Sequence, residues 1–80
     1  MKDTIEKLIK VALPDAQVEV GDVTGSGDIF SLLVVSDTFS GMPLLKQHQQ
    51  VMDILKDILK DKIHAVQIKT MTFEKYRDRS

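Results

Sequence analysis

The stretch that decides the fold is residues 61–70, which read Asp-Lys-Ile-His-Ala-Val-Gln-Ile-Lys-Thr. Val66 and Ile68 alternate with a small and a polar residue, which is the period of a strand with one apolar face. The same period places His64 on that face, at the entrance of the strand. The histidine is then either a half-buried residue hydrogen-bonded to backbone or a residue whose free ring nitrogen meets a ligand. The spacing alone leaves both interpretations open.

A long helical pattern precedes this strand. It runs from Pro43, a residue that helices accept in their first turn, to about Lys60. We interpret His48 as a packed residue at the edge of the core, because no second metal ligand stands three or four residues away. The predicted buried stripe of the helix consists of Leu45, His48, Met52, Leu55 and Leu59, widened by Leu44, Val51 and Ile58.

The first half of the chain predicts a helix and two strands. A helix over 3–13 ends at Pro14, and a strand follows over 16–20. Residues 21–28 contain three glycines and two aspartates and are typical of a loop. Residues 29–35 are apolar at nearly every position, which indicates a central strand.

These elements predict an α+β fold with the order α-β-β-α-β-α. The first two strands form an antiparallel hairpin, and the second and third are parallel because a helix connects them. A short helix capped by Thr72 ends the chain. We expect a single domain over residues 1–80, with a three-stranded mixed sheet and its helices on one face.

Composition excludes several classes of protein. With no cysteine among 80 residues, the chain cannot form disulfides, use a thiol nucleophile or build an all-cysteine metal site. The net charge of −1 argues against strong non-specific binding of nucleic acid. No apolar run is long enough to span a membrane and the N-terminus is not a signal peptide, so we expect a cytoplasmic protein without membrane contact.

Catalytic motifs are not evident. The carboxylates are scattered, and no serine, histidine and aspartate stand in a supporting motif. The glycine loop at 25–27 lacks the lysine and the following helix of a phosphate-binding loop. We therefore predict that the protein is not an enzyme.

The order of the elements also suits a KH-like nucleic-acid module. KH domains clamp the nucleic-acid backbone with a Gly-x-x-Gly loop, and residues 41–44 read Gly-Met-Pro-Leu, without the second glycine. The candidate residues for DNA contact under this hypothesis are Lys46, Lys56, Lys60, Lys62 and Lys69.

Four segments together resemble the BolA family, and specifically its short IbaG-like bacterial branch. They are Ala-Leu-Pro-Asp-Ala at 12–16, Val-Val-Ser-Asp-Thr-Phe-Ser-Gly-Met at 34–42, Leu-Lys-Gln-His-Gln-Gln-Val at 45–51, and Ile-His-Ala-Val-Gln-Ile-Lys-Thr at 63–70. The resemblance covers nearly the whole chain and implies a class II KH-like fold.

The resemblance also implies a function for His64. In the family, the matching histidine ligates an iron of a [2Fe-2S] cluster shared with a monothiol glutaredoxin, which supplies a cysteine and a bound glutathione. The isolated chain would bind no cofactor. Many relatives take a second ligand, Cys or His, from the loop between the first two strands, where this chain offers only Asp22 and Asp28.

Three functional hypotheses follow from the resemblance. The leading one is an adaptor in iron–sulfur cluster trafficking or iron sensing. The second is a DNA-binding transcriptional regulator of the stress or morphology type. The third is a small interaction module with neither function.

Overall fold

The computed structural model describes residues 2–27, 29–61 and 65–78, and this part of the chain forms three α-helices and a three-stranded sheet. The predicted order is confirmed. None of the described helices is both long and apolar enough to cross a membrane. The elements are α1 (Lys2–Ala12), β1 (Gln17–Asp22), β2 (Ile29–Val35), α2 (Leu44–Asp61), β3 (Ala65–Met71) and α3 (Phe73–Asp78).

The sheet has the predicted topology, with β2 in the centre. β1 pairs with β2 antiparallel, and β3 pairs with β2 in parallel after the crossover through α2. β1 is longer than predicted, because the ladder continues through Gly21 and Asp22, which pair with Ser31 and Phe30. The loop therefore begins after Asp22, where the Val23 N–H donates to the Ile29 carbonyl at 2.8 Å.

The core lies between one face of the sheet and the two longer helices. Alternate residues of β2 point into it and are nearly inaccessible to solvent. Phe39 packs its loop onto the core: it is 1% exposed and belongs to a short 3-10 turn over Asp37–Phe39. The buried residues of the core cluster are Ile5, Ile9, Leu13, Ala16, Phe30, Leu32, Val34, Phe39, Val51 and Leu55.

The buried face of α2 differs from the predicted stripe. Val51 and Leu55 are fully buried, but Leu45 is 70% exposed and Met52 is 42% exposed. Leu44, at the first position of the helix, is also exposed. The helix has more apolar positions than one face can hold, and it is rotated so that its centre of burial lies at Val51 and Leu55.

The short helix α3 lies on the other face of the sheet, which refines the expectation that all helices pack on one face. The Tyr76 hydroxyl donates to Glu19 Oε2 at 2.9 Å and accepts from Gln17 Nε2 at 3.2 Å. Both partners alternate along β1 with the core-facing Val18 and Val20. A six-residue helix directly after β3 can fold back over either face, and here it covers the one that α1 and α2 leave open.

Candidate functional site

Three chain segments meet at one end of the sheet. β1 ends with Asp22, which pairs with Phe30, and β2 begins with Ile29, which pairs with Ala65 at the start of β3. The antiparallel and parallel pairings together bring the end of β1 and the starts of β2 and β3 to this end. Ala65 is the residue that follows His64 in the sequence.

The predicted ligands divide between described and undescribed residues. His64 and Asp28 lie outside the described residues, as does Lys62. Asp22 is described and lies at the sheet end just defined. Within the described ranges, no three His, Cys, Asp or Glu residues are grouped so as to hold a metal ion.

The Asp22 carboxylate already organises the glycine loop. Its Oδ1 accepts from the Gly25 N–H at 3.0 Å, and its Oδ2 accepts from the Gly27 N–H at 2.9 Å. Both glycines have positive φ, 77° and 82°, a conformation that glycine adopts without the steric cost of a Cβ. Both oxygens of Asp22 therefore have a structural function within its own loop, and the assignment of this carboxylate as a metal ligand stays a prediction.

The described lysines of the DNA hypothesis lie on two faces of the domain, three on α2 and one on β3. Lys46 and Lys60 are exposed near opposite ends of α2, and fourteen residues of helix correspond to about 21 Å. Lys56 lies between them, next to the exposed Asp53 and Asp57. Lys69 alternates with the core-facing Val66 and Ile68 and so lies on the opposite face of the sheet from α2.

His48 is half-buried on α2, as expected for a residue at the edge of the core. Its neighbour Gln47 has a structural function that the sequence did not reveal. Gln47 Nε2 donates to the Met42 carbonyl at 2.7 Å, and its Oε1 accepts from the buried Thr70 hydroxyl at 2.8 Å. One side chain thus connects the segment before α2 to the end of β3, and only the register of the folded chain could have indicated this.

A second network lies at the same end of the sheet as Thr70. The buried Ser36 hydroxyl donates to Asp15 Oδ1 at 2.7 Å, and the Asp37 N–H donates to Asp15 Oδ2 at 2.8 Å. These bonds, the Ser36 hydroxyl first, hold the pKa of Asp15 below its ordinary value. Asp15, Ser36 and Asp37 belong to the segments that carry the family resemblance, and their contribution here is to the fold.

Comparison with known proteins gives a consistent family. The family model described as "BolA-like protein" matches residues 9–75. "Uncharacterized protein RP812" of Rickettsia prowazekii is 31% identical over 70 residues, which cover 88% of this chain and 91% of that protein. The "DNA-binding transcriptional regulator BolA" of Escherichia coli is 26% identical over 83 residues, covering 95% of this chain and 79% of that protein.

The solved structures agree with the sequence relatives. The BolA domain of SufE1 from Arabidopsis thaliana superimposes with a TM-score of 0.82 at 32% sequence identity. The match covers 91% of this chain and 92% of that domain. The likeness therefore extends over almost the whole of both chains.

Proposed function

Because this chain belongs to the BolA-like protein family, we propose that it is a non-enzymatic adaptor in iron–sulfur cluster trafficking or iron sensing, which acts in the cytoplasm with a monothiol glutaredoxin. The observation that carries the proposal is the meeting of the glycine loop and the start of β3 at one end of the sheet. A similar BolA domain is part of SufE1. The assignment to the IbaG-like branch remains a prediction.

The side chains of this chain that could ligate iron fit a cluster shared with a partner protein, and not a cluster that this chain binds alone. His64 would supply a neutral imidazole, which is a good ligand for iron and tends to raise the potential of a cluster when it replaces thiolate. The loop contains neither cysteine nor histidine, and the oxygens of Asp22 are engaged by backbone N–H groups. We therefore propose that the thiolate ligands of a [2Fe-2S] cargo come from the glutaredoxin and its glutathione.

The test is to mix the chain anaerobically with a monothiol glutaredoxin and glutathione, reconstitute the cluster and record absorbance and circular dichroism. His64→Ala should abolish or reshape the spectrum of the shared cluster while the melting temperature stays nearly unchanged. His48→Ala is the matched control, because it removes the other histidine of the chain and should leave the spectrum alone. A shared spectrum that survives His64→Ala would refute the role of His64, and no complex with wild type would refute the adaptor function.

A DNA-binding regulator is the second candidate, favoured by the similarity to the DNA-binding transcriptional regulator BolA of Escherichia coli. The described lysines are spread over two faces of the domain, so few phosphates can be neutralised at once. We expect binding at physiological salt to be weak and non-specific, with a shallow slope of log affinity against log salt. Nanomolar, sequence-selective binding under those conditions would place this function first.

A further inference from the structure

The face of the sheet opposite α1 and α2, here called the open face, is covered at one end only. Val35 and Met71 alternate with core-facing residues and so belong to this face, yet they are 0% and 5% exposed. Tyr76 of α3 is bonded to Gln17 and Glu19 of the same face. α3 begins two residues after Met71 at the β3 edge and reaches β1 through Tyr76, so it runs across the strands.

Two rows of the open face beyond α3 remain accessible to solvent. They border a depression of about 470 Å³. In the register of the sheet, the rows are Glu19-Leu33-Lys69 and Gly21-Ser31-Gln67.

Gly21 has no side chain, so the depression is open down to the backbone of the sheet at this residue. A Cβ built on Gly21 would come within 2.7 Å of Ser31 Oγ, which is closer than real Cβ atoms approach a neighbour. The residue beside it on the central strand is a serine, the smallest polar side chain of the open face. A bulky side chain from outside can therefore approach the sheet here, beside the partly exposed Leu33.

Opposite charges stand at the two edges of the first open row. Glu19 is exposed on β1, and Lys69 is exposed on β3, with Leu33 between them. Lys69 has no ion pair within the described ranges. A partner that crosses the strands thus meets a positive charge at one end and a negative charge at the other.

We propose that the open face binds an amphipathic helix of another protein, lying across the strands beside α3. Same-face rows are about 6.6 Å apart along a strand, and a helix is about 10 Å in diameter. A helix packed against α3 would have its axis about 10 Å away, between the two open rows. Three strands are about 10 Å wide between their outer axes, so two to three helical turns cover them.

The chemistry of the helix follows from the two rows. Apolar side chains three, four and seven residues apart lie over Gly21 and Leu33, an acidic residue lies over Lys69 and a basic residue over Glu19. The charges select the orientation of the helix more than its affinity. The sheet of a second copy does not fit, because α3 stands on this face and keeps two sheets from the 10 Å at which they pack.

The test is a display selection with the full chain as the target. The library consists of 14-residue helices on a helical scaffold, with one face of each helix randomised. Helices with the stated pattern should be enriched, and a synthetic copy of one should shift the amide signals of β2 and β3 in NMR spectra of the ¹⁵N-labelled chain. Leu33→Glu should weaken its binding at least about tenfold. Leu45→Glu, at an exposed leucine of α2, is the matched control and should leave binding unchanged.

A charge exchange supplies a variant that does not disturb packing. Lys69→Glu should weaken the peptide, and replacing the acidic residue of the peptide by lysine should restore binding. No enrichment, or peptides that shift the signals of α2 instead, would overturn the proposal. It would also be overturned by binders that are extended strands at the β3 edge, or by a dimer of the wild type that Leu33→Glu dissociates.

Discussion

Replacing the hydroxyl of Ser36 should destabilise the domain measurably. Ser36 is fully buried, and its Oγ donates to Asp15 at 2.7 Å while accepting from the Thr38 N–H at 3.1 Å. Ser36→Ala removes both bonds, and one of them is made to a charged group. We expect the free energy of unfolding to fall by about 1–3 kcal/mol. For a domain of this size, each kcal/mol corresponds to about 4–8 °C in the melting temperature.

The same substitution should change how stability depends on pH. The pKa of Asp15 lies below its ordinary value of 3.8 in the folded chain, mainly because of the Ser36 hydroxyl and then because of the Asp37 N–H. A carboxyl whose pKa is lowered by folding stabilises the fold above its unfolded pKa, and this contribution is lost as the pH falls through the folded pKa. Without the hydroxyl, less stability is lost in that acid range. The Asp15 side chain is exposed, so solvent screening keeps the effect small.

The assay is urea unfolding of wild type, Ser36→Ala, Asp15→Asn and the double variant, at pH 7 and at pH 3. The double-mutant cycle should give a favourable coupling between the two residues at pH 7 and a smaller one at pH 3. Ser40→Ala, at an exposed serine of the same turn, controls for the loss of any hydroxyl. If Ser36→Ala costs no more than Ser40→Ala, or if the coupling at pH 7 is zero, the reasoning is wrong.

Three further substitutions test the packing. Leu55→Ala, at a fully buried residue, should cost about 2–5 kcal/mol in urea unfolding, and an equal effect of Leu45→Ala would show that the face of α2 is wrongly assigned. Gln47→Leu should cost about 1–3 kcal/mol because it leaves a buried threonine hydroxyl without its acceptor, whereas Gln49→Leu at an exposed position should be nearly neutral. Gly27→Ala should cost about 1–2 kcal/mol, since its φ of 82° is unfavourable for alanine, and an unchanged melting temperature would contradict this.

The topology could be predicted from the sequence because each strand has a distinct pattern. β2 is apolar at every position except Ser31, and such a run is typical of a central strand. The helical repeat between β2 and β3 requires a crossover, which makes these strands parallel. Each of these inferences uses the sequence of one segment only, so neither requires knowledge of the segments that pack against it.

The faces of the helices could not be predicted in the same way. α2 has apolar residues around about half of its circumference, so Val51 and Met52 are equally suitable for burial until α1 and the sheet fix the rotation. α3 has only six residues, and its side of the sheet is fixed by long-range contacts such as those of Tyr76 with Gln17 and Glu19. The hydrogen bond between Thr70 and Gln47 joins residues 23 positions apart, and local periodicity does not contain that information.

The role of His64 at the candidate site could not be predicted from the sequence for a different reason. Periodicity places His64 on an apolar strand face, where a structural and a ligating histidine have the same pattern, and the family resemblance alone favours the second. Its assignment as an iron ligand stays a prediction. The structural function of Asp22 was missed because a carboxylate that accepts from glycine N–H groups is recognised only once the loop is closed.

The self-contained loop after Asp22 has a consequence for how such domains diversify. The aspartate at its start fixes the turn from within by accepting from the Gly25 and Gly27 N–H groups, and the Val23 N–H bonds the Ile29 carbonyl across the base of the loop. Residues 24 and 26 can therefore be exchanged without loss of the Val23–Ile29 hydrogen bond or of the two glycines that Asp22 binds. Cysteine or histidine at position 24 or 26 would place a metal-ligating side chain in the loop at the end of the sheet where β3 begins. Foldability and the chemistry of the loop side chains are thus separable traits, on which selection can act one at a time.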